Sequence, residues 1–131
     1  MRRIATALSG LGLSLMLGMA AQAAEFRPFV TADFEAARAE GRPVIVDIAA
    51  DWCPTCKAQK PIIDALASEP AQDRTVIFEV DFDTQKDVVR ALGAQRQSTL
   101  IAYRGMTETA RSVGETRKEA LGALFESVLA E

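Results

Sequence analysis

Apolar residues along the chain are grouped into short continuous runs and into longer segments where they recur at helical spacing. Runs that are apolar at every position are typical of strands covered on both faces. Four strands are predicted, over residues 44–49, 75–80, 99–103 and 109–113. The last two flank Arg104-Gly105, a plausible hairpin turn. Residues 25–30 are expected to form only a short lead-in.

A helix is predicted directly after the first strand. It begins at Cys53 or Pro54 and continues to about Ala67. Proline suits the first helical position, because its missing N–H has no partner there in any case. Pro61 falls well inside the same helix, where it removes a backbone hydrogen bond and should bend the axis.

Two further helices are predicted from their start and stop residues. The first has Thr31 as its N-cap and ends at Gly41. The second opens at Thr84, which together with Asp87 resembles a capping box, and ends at Gly93. One of these helices precedes the first strand and the other follows the second.

The last helix, predicted from Thr116, has the clearest periodicity. Apolar residues at i, i+3, i+4, i+7 and i+8 form one face that packs on a sheet. They are Leu121, Leu124, Phe125, Val128 and Leu129. The predicted order of elements is α, β, α, β, α, β, β, α. This order predicts an α/β fold with a mixed central sheet of four to five strands, covered by helices on both faces.

Composition limits the classes of function. The 131 residues, of which 49% are hydrophobic and 25% charged, suit one globular domain. The sequence contains no histidine, which excludes a histidine base and a histidine metal ligand. The net charge of −3 and the scattered basic residues give no sign of nucleic-acid binding. No cofactor is expected.

Residues 1–23 have the pattern of a secretory signal peptide. Two arginines near the start precede residues 4–24, which carry no charge, and Ala21-Gln22-Ala23 fits an Ala-X-Ala cleavage site. Cleavage after Ala23 would leave residues 24–131 as the mature domain. The alternative is an uncleaved membrane anchor, since the uncharged run is nearly long enough to span a bilayer. The expected location is the periplasm, where disulfides persist.

The two cysteines of the sequence, Cys53 and Cys56, form a Cys-X-X-Cys motif at the predicted start of a helix. A strand that leads into such a motif is typical of redox sites. Unpaired N–H groups and the partial positive charge of a helix start favour a thiolate, and lower a cysteine pKa from about 8.5 to about 3.5–7.5. Cys53 is predicted to lie outermost and to act as nucleophile, and Cys56 to lie deeper and resolve the mixed disulfide.

Other uses of the cysteine pair are less well supported. A purely structural disulfide that closes so short a loop contributes less stability than one closing a long loop. A structural zinc site needs about four protein ligands, and a c-type haem site needs a histidine where Lys57 follows the motif. A metal or iron–sulfur centre held by the cysteine pairs of two chains in a dimer remains an alternative.

The segment Ala50-Asp-Trp-Cys-Pro-Thr-Cys-Lys57 resembles the active-site signature of the thioredoxin superfamily, and the resemblance covers roughly residues 30–131. Asp47 lies where thioredoxins keep a buried carboxylate, and Pro61 where they have a helix-kinking proline. Gly114 matches the glycine that ends their last strand. The segment is also similar to the thioredoxin-like C-terminal domain of transmembrane disulfide reductases.

The resemblance implies thiol–disulfide exchange, in which Asp47 takes the proton from Cys56. It also implies a substrate-binding surface made of Trp52, Pro54, Thr55, Ser98 and Thr99. Ser98 departs from the family, because thioredoxins carry a cis-proline there. A cis bond before a residue other than proline costs about 2.5–4 kcal/mol, so the bond before Ser98 is either trans, or cis and strained.

The implied enzyme is a protein disulfide oxidoreductase that acts on client proteins with disulfides or thiols. The Asp47 carboxylate and the Ala-Asp-Trp-Cys context favour reduction of clients over oxidation. An exported reductase needs a membrane-embedded electron donor, and the chain is expected to be a monomer. Two alternatives remain: a thioredoxin-fold binding module or metal-holding protein with little turnover, and a structural disulfide domain.

Overall fold

The computed structural model describes residues 23–129, which form one mixed sheet between two layers of helices. The strands are β1 (Glu25–Pro28), β2 (Pro43–Ala49), β3 (Val76–Asp81), β4 (Thr99–Arg104) and β5 (Thr107–Val113). The helices are α1 (Thr31–Ala39), α2 (Pro54–Ala67), α3 (Lys86–Ala91) and α4 (Lys118–Ser127). The predicted α/β fold class is confirmed. None of the described helices combines the length and the apolarity needed to cross a membrane. The predicted signal peptide lies outside the described residues except for Ala23.

The sheet has the strand order β1-β3-β2-β4-β5, so β2 lies at its centre. β2 runs parallel to β3 and antiparallel to β4. This position explains why the strand is apolar throughout, since both of its faces are covered. The lead-in expected over residues 25–30 is wrong, because residues 25–28 form an edge strand parallel to β3. A short and largely exposed edge strand has no apolar run of its own, and only its pairing with β3 identifies it.

Side chains that alternate along the strands supply two separate cores. One lies under α1 and α3 and contains Phe34 and Phe78, whose rings meet edge to face with centroids 5.9 Å apart. The other lies under α2 and α4 and contains Ile45 with Leu121. The predicted apolar face of the last helix is therefore confirmed, since Leu121, Leu124, Phe125 and Val128 are buried.

The two predicted helix caps are wrong. Thr31 is the first residue of α1, Val30 occupies the N-cap position, and no side chain caps the helix. The helix predicted to open at Thr84 has Gln85 as its N-cap, again without a side-chain bond. The Asp81 carboxylate instead accepts hydrogen bonds from the backbone N–H groups of residues 83 and 84, so the turn before α3 is held from the preceding strand.

Two other boundaries differ from the prediction by a few residues. β5 begins at Thr107, so the hairpin turn consists of Gly105 and Met106. Gly105 has φ of +57°, a conformation that glycine adopts without the steric cost of a side chain. α4 has Arg117 as its N-cap and begins two residues later than the predicted Thr116.

Candidate active site

The cysteine motif lies where the central strand β2 ends and α2 begins. Cys53 is the N-cap residue of α2, Pro54 is its first helical residue, and Cys53 and Cys56 are joined by a disulfide. The backbone N–H of Cys56 donates a hydrogen bond to the Cys53 sulfur over 3.1 Å. One of the unpaired N–H groups of the helix start is thereby directed at the sulfur that would carry a thiolate. This is the arrangement expected from the sequence.

The prediction that Cys53 lies outermost is wrong. Cys53 is 1% exposed and Cys56 is 9% exposed, so the first cysteine is the more deeply covered of the two. The segment before β4 reaches over the pair and places the hydroxyl oxygen of Ser98 3.1 Å from the Cys53 sulfur and 3.2 Å from the Cys56 sulfur. Position at a helix start does not determine exposure, because a distant segment can cover it.

Asp47 lies in β2 and is 6% exposed, with one carboxylate oxygen that has no hydrogen-bond partner. Burial raises its pKa to about 6, and the nearby Glu79 carboxylate adds to the shift, while Lys60 opposes it. Asp47 and Cys56 line the same cleft of about 480 Å³, into which Lys60 and Glu79 also project. A carboxylate with a pKa near neutrality, in one cleft with Cys56, suits a base for the Cys56 thiol.

Ser98 lies in a trans segment, since the described residues contain no cis peptide bond. Its φ of +59° is in the left-handed region, which is unfavourable for a residue with a side chain. Its carbonyl accepts a 2.9 Å hydrogen bond from the Gly114 N–H and a 3.3 Å bond from the Gln59 amide. These bonds hold the segment in a conformation that the sequence did not indicate.

Gln59 belongs to the site and was not predicted from the sequence. It is 1% exposed, and its side-chain amide also donates a 2.9 Å hydrogen bond to the backbone carbonyl of Glu115. The signal in the sequence is its spacing: it follows Cys56 by three residues and precedes the buried Ile63 by four, so it lies on the buried face of α2. A polar residue on such a face needs partners, and here they are loop carbonyls.

The residues predicted to bind substrate are in three different environments. Trp52 is 56% exposed, and its indole N–H donates a 2.7 Å hydrogen bond to Asp83. Pro54 is exposed and Thr55 is half-buried, so these two residues and Trp52 form the accessible rim of the site. Thr99 is buried, and its hydroxyl donates a hydrogen bond to the carbonyl of residue 96. Ser98 contacts the sulfurs.

Comparison with known proteins gives a consistent result. The family model described as Thioredoxin matches residues 25–127. The thioredoxin of Mycobacterium tuberculosis is 36% identical over 80 residues, which cover 61% of this chain and 68% of that protein. The thioredoxin of Chlamydia muridarum is 35% identical over 82 residues, which cover 63% of this chain and 78% of that protein.

Two solved structures are similar to this chain over most of their length. The protein Trxlp from Edwardsiella tarda superposes with a TM-score of 0.75 at 44% identity, over 77% of this chain and 98% of that chain. The thioredoxin of Malassezia sympodialis superposes with a TM-score of 0.72 over 83% of this chain and 94% of that chain. At 21% identity, the second match concerns the fold alone.

The raised pKa of Asp47 predicts how replacement of this residue changes stability with pH. Below the ordinary pKa of 3.8 the Asp47 carboxyl is neutral in the folded and in the unfolded protein, and its ionisation does not change the free energy of unfolding. As the pH rises from 3.8 to about 6, the Asp47 carboxyl loses its proton in the unfolded chain before it does so in the folded protein. The free energy of unfolding therefore falls over this range, and the loss is complete above it. A shift of about two pKa units corresponds to about 3 kcal/mol.

We therefore expect Asp47→Ala to gain up to about 3 kcal/mol of unfolding free energy relative to the wild type between about pH 4 and about pH 8. Urea unfolding of the oxidised proteins at both pH values measures this change, and packing effects of the substitution cancel in the comparison. Asp51→Ala, at the exposed loop beside the motif, controls for the loss of one negative charge. A difference from the wild type that stays constant with pH would contradict the buried, destabilised carboxylate.

Proposed function

The chain belongs to the thioredoxin family, and we propose that it is an exported reductase of client protein disulfides. Its family and its Cys53–Cys56 pair make it a thiol–disulfide oxidoreductase. The observation that carries the proposal is the disulfide at the start of α2, in the same cleft as the buried Asp47 carboxylate.

The proposed reaction begins with the reduced pair. The Cys53 thiolate attacks one sulfur of the client disulfide, forms a mixed disulfide and releases the other client sulfur as a thiolate. The Cys56 thiolate then attacks the Cys53 sulfur, which closes the Cys53–Cys56 disulfide and releases the second client thiolate. Two electrons pass to the client. Its thiolates take up two protons, one that Asp47 took from Cys56 and one that Cys53 had lost to solvent.

The assignment of Cys53 as nucleophile is supported by hydrogen bonding rather than by exposure. The Cys56 N–H already points at the Cys53 sulfur, and its bond to a thiolate would be stronger than its bond to the neutral disulfide. Cys56 is the third residue of α2 and lines the same cleft as Asp47. This suits a thiol that loses its proton in the second step, when it attacks the Cys53 sulfur. The two cysteines therefore have different supporting groups.

Two features favour the reducing direction. The step that completes client reduction is the deprotonation of Cys56 and its attack on Cys53, and Asp47 has the pKa of a base for that step. The Ala-Asp-Trp-Cys context is similar to that of reductase domains that receive electrons from a membrane-embedded partner. We propose such a donor for this chain, a monomeric state, and a client surface made of Trp52, Pro54 and Thr55.

The exchange chemistry is tested by replacing each cysteine with serine. Cys56→Ser should accumulate a mixed disulfide between Cys53 and a model client such as insulin, because the resolving thiolate is missing. Cys53→Ser is the matched control, since it also lacks the internal disulfide but has lost the nucleophile, and it should trap no client. Non-reducing electrophoresis followed by mass spectrometry detects the adduct. Trapping by Cys53→Ser alone would reverse the assignment of the two cysteines.

The direction is tested by the equilibrium potential of the pair, titrated against glutathione or dithiothreitol. We expect a value near that of thioredoxin, about −270 mV, and catalytic reduction of insulin with dithiothreitol as electron source. A potential nearer about −120 mV would indicate an oxidant instead. Stoichiometric binding without turnover would indicate a binding module, the alternative favoured by the 1% exposure of Cys53.

Export is tested by expression with residues 1–23 in a Gram-negative host. The proposal rests on the basic start, the uncharged run and the Ala-X-Ala motif. We expect the protein in the periplasmic fraction, with an intact mass that corresponds to residues 24–131. Full-length protein in the membrane fraction would indicate an uncleaved anchor, and full-length protein in the cytoplasm would contradict export.

A further inference from the structure

The hydroxyl of Ser98 is held between the two reacting sulfurs. The residue is 3% exposed, and its oxygen lies 3.1 Å from the Cys53 sulfur and 3.2 Å from the Cys56 sulfur. Disulfide sulfurs carry no proton, so in the oxidised protein the hydroxyl is the donor. We propose that the Ser98 hydroxyl is a catalytic group of the thiol–disulfide exchange, which donates a hydrogen bond to whichever cysteine carries the thiolate. This inference rests on the proposed function.

The hydroxyl should favour the reduced pair because its bond strengthens on reduction. A disulfide sulfur is a neutral, weak acceptor, whereas a thiolate carries a full negative charge, and hydrogen bonds to charged groups are shorter and stronger than neutral ones. The site is buried, which increases the difference between the two states. Ser98 therefore lowers the thiol pKa and makes the pair a weaker reductant than it would be without the hydroxyl.

The same hydroxyl can serve both cysteines in turn. A hydroxyl has one proton to donate and two lone pairs that accept. In the reduced pair the hydroxyl donates to the Cys53 thiolate and accepts from the Cys56 thiol. The two sulfurs are then connected through hydrogen bonds to one hydroxyl, and no proton has to be transferred. Once Cys53 is joined to the client, the hydroxyl can turn to the Cys56 thiolate, which lies at nearly the same distance.

The position of the hydroxyl is maintained by contacts of the Ser98 backbone. The left-handed φ of +59° is unfavourable for serine, yet the Ser98 carbonyl is held by the Gly114 N–H and the Gln59 amide. Gln59 is buried in α2, the helix that carries Cys56, so the bond joins the segment to the helix of the motif. Gln59 is thus a positioning residue, which acts on the sulfurs through Ser98.

The test compares the reduced forms of the wild type and Ser98→Ala. The ultraviolet absorbance of the thiolate, followed against pH, should give a thiol pKa about one unit higher in the variant. The equilibrium with glutathione, measured where the thiolate predominates, should shift about tenfold toward the disulfide, which corresponds to a potential lower by about 30 mV. Ser98→Thr retains a hydroxyl and should restore most of the wild-type pKa.

Three further variants make the test specific. Ser112→Ala removes a serine hydroxyl that has no hydrogen-bond partner in the described part of the chain, and it should leave the thiol pKa unchanged. Ser98→Gly also removes the hydroxyl but tolerates a positive φ, so it should repeat the Ser98→Ala result in a protein that folds at least as well. Gln59→Leu retains the Ser98 hydroxyl but loses one hydrogen bond to the Ser98 carbonyl. It should raise the thiol pKa by less than Ser98→Ala does.

Wild-type thiol pKa and wild-type equilibrium constant in both Ser98→Ala and Ser98→Gly would overturn the proposal. An unchanged thiol pKa in Gln59→Leu would contradict the role of Gln59 as a positioning residue. These measurements use the protein without any client. If insulin is not turned over but the pKa shift is found, the proposed function fails, and with it the catalytic role of Ser98, while its hydrogen bond to the thiolate stands.

Discussion

The hydrogen-bonded register between β2 and β4 is the constraint on which the site depends. Ile48, near the end of β2, pairs with Thr99, the first residue of β4. The chain that leaves β2 leads into the cysteine motif, and the residue before β4 is Ser98. The antiparallel pairing therefore brings a serine that lies more than forty positions away in the sequence against both sulfurs. A shift of one residue would turn its side chain to the other face of the sheet.

The central strand also buries the Asp47 carboxylate, which is the base of the proposed exchange. Water would stabilise the ionised Asp47 carboxylate better than its buried site does. Its raised pKa reflects the folding free energy that is lost when the ionised carboxylate is held in the central strand. The neighbouring Glu79 carboxylate makes ionisation harder still, and Lys60 makes it easier. A base that is destabilised when ionised accepts a proton readily near neutrality, so the lost stability and the proposed role as a base have the same physical origin.

The cover over the cysteines separates this site from a simple exposed motif. Cys53 is almost fully buried in the oxidised state, while Trp52 at the rim is more than half exposed. The segment that contains Ser98 lies against the cysteine pair and brings its hydroxyl within hydrogen-bond distance of both sulfurs. Its polar anchor, Gln59, joins it to α2 by hydrogen bonds to the carbonyls of Ser98 and Glu115, which lie 39 and 56 positions away in the sequence.

What the sequence determined by itself follows from local physics. Apolar runs predicted β2 and β3, helical spacing predicted the buried face of α4, and proline next to a cysteine predicted that the motif opens α2. The placement of Asp47 near the pair came from the resemblance to thioredoxins. Each of these depends on residues close together in the chain, or on a motif that keeps its spacing.

Only the tertiary structure decided the rest. The edge strand β1 exists because β3 offers it free backbone groups, and the true helix starts depend on how the chain arrives from neighbouring strands. The segment that contains Ser98 contacts α2 directly, through the two sulfurs and Gln59. Neither the burial of Cys53 nor the left-handed conformation of Ser98 could be predicted without that contact. Contacts between residues far apart in sequence leave no periodic or local signal, because they are set by strand register and packing.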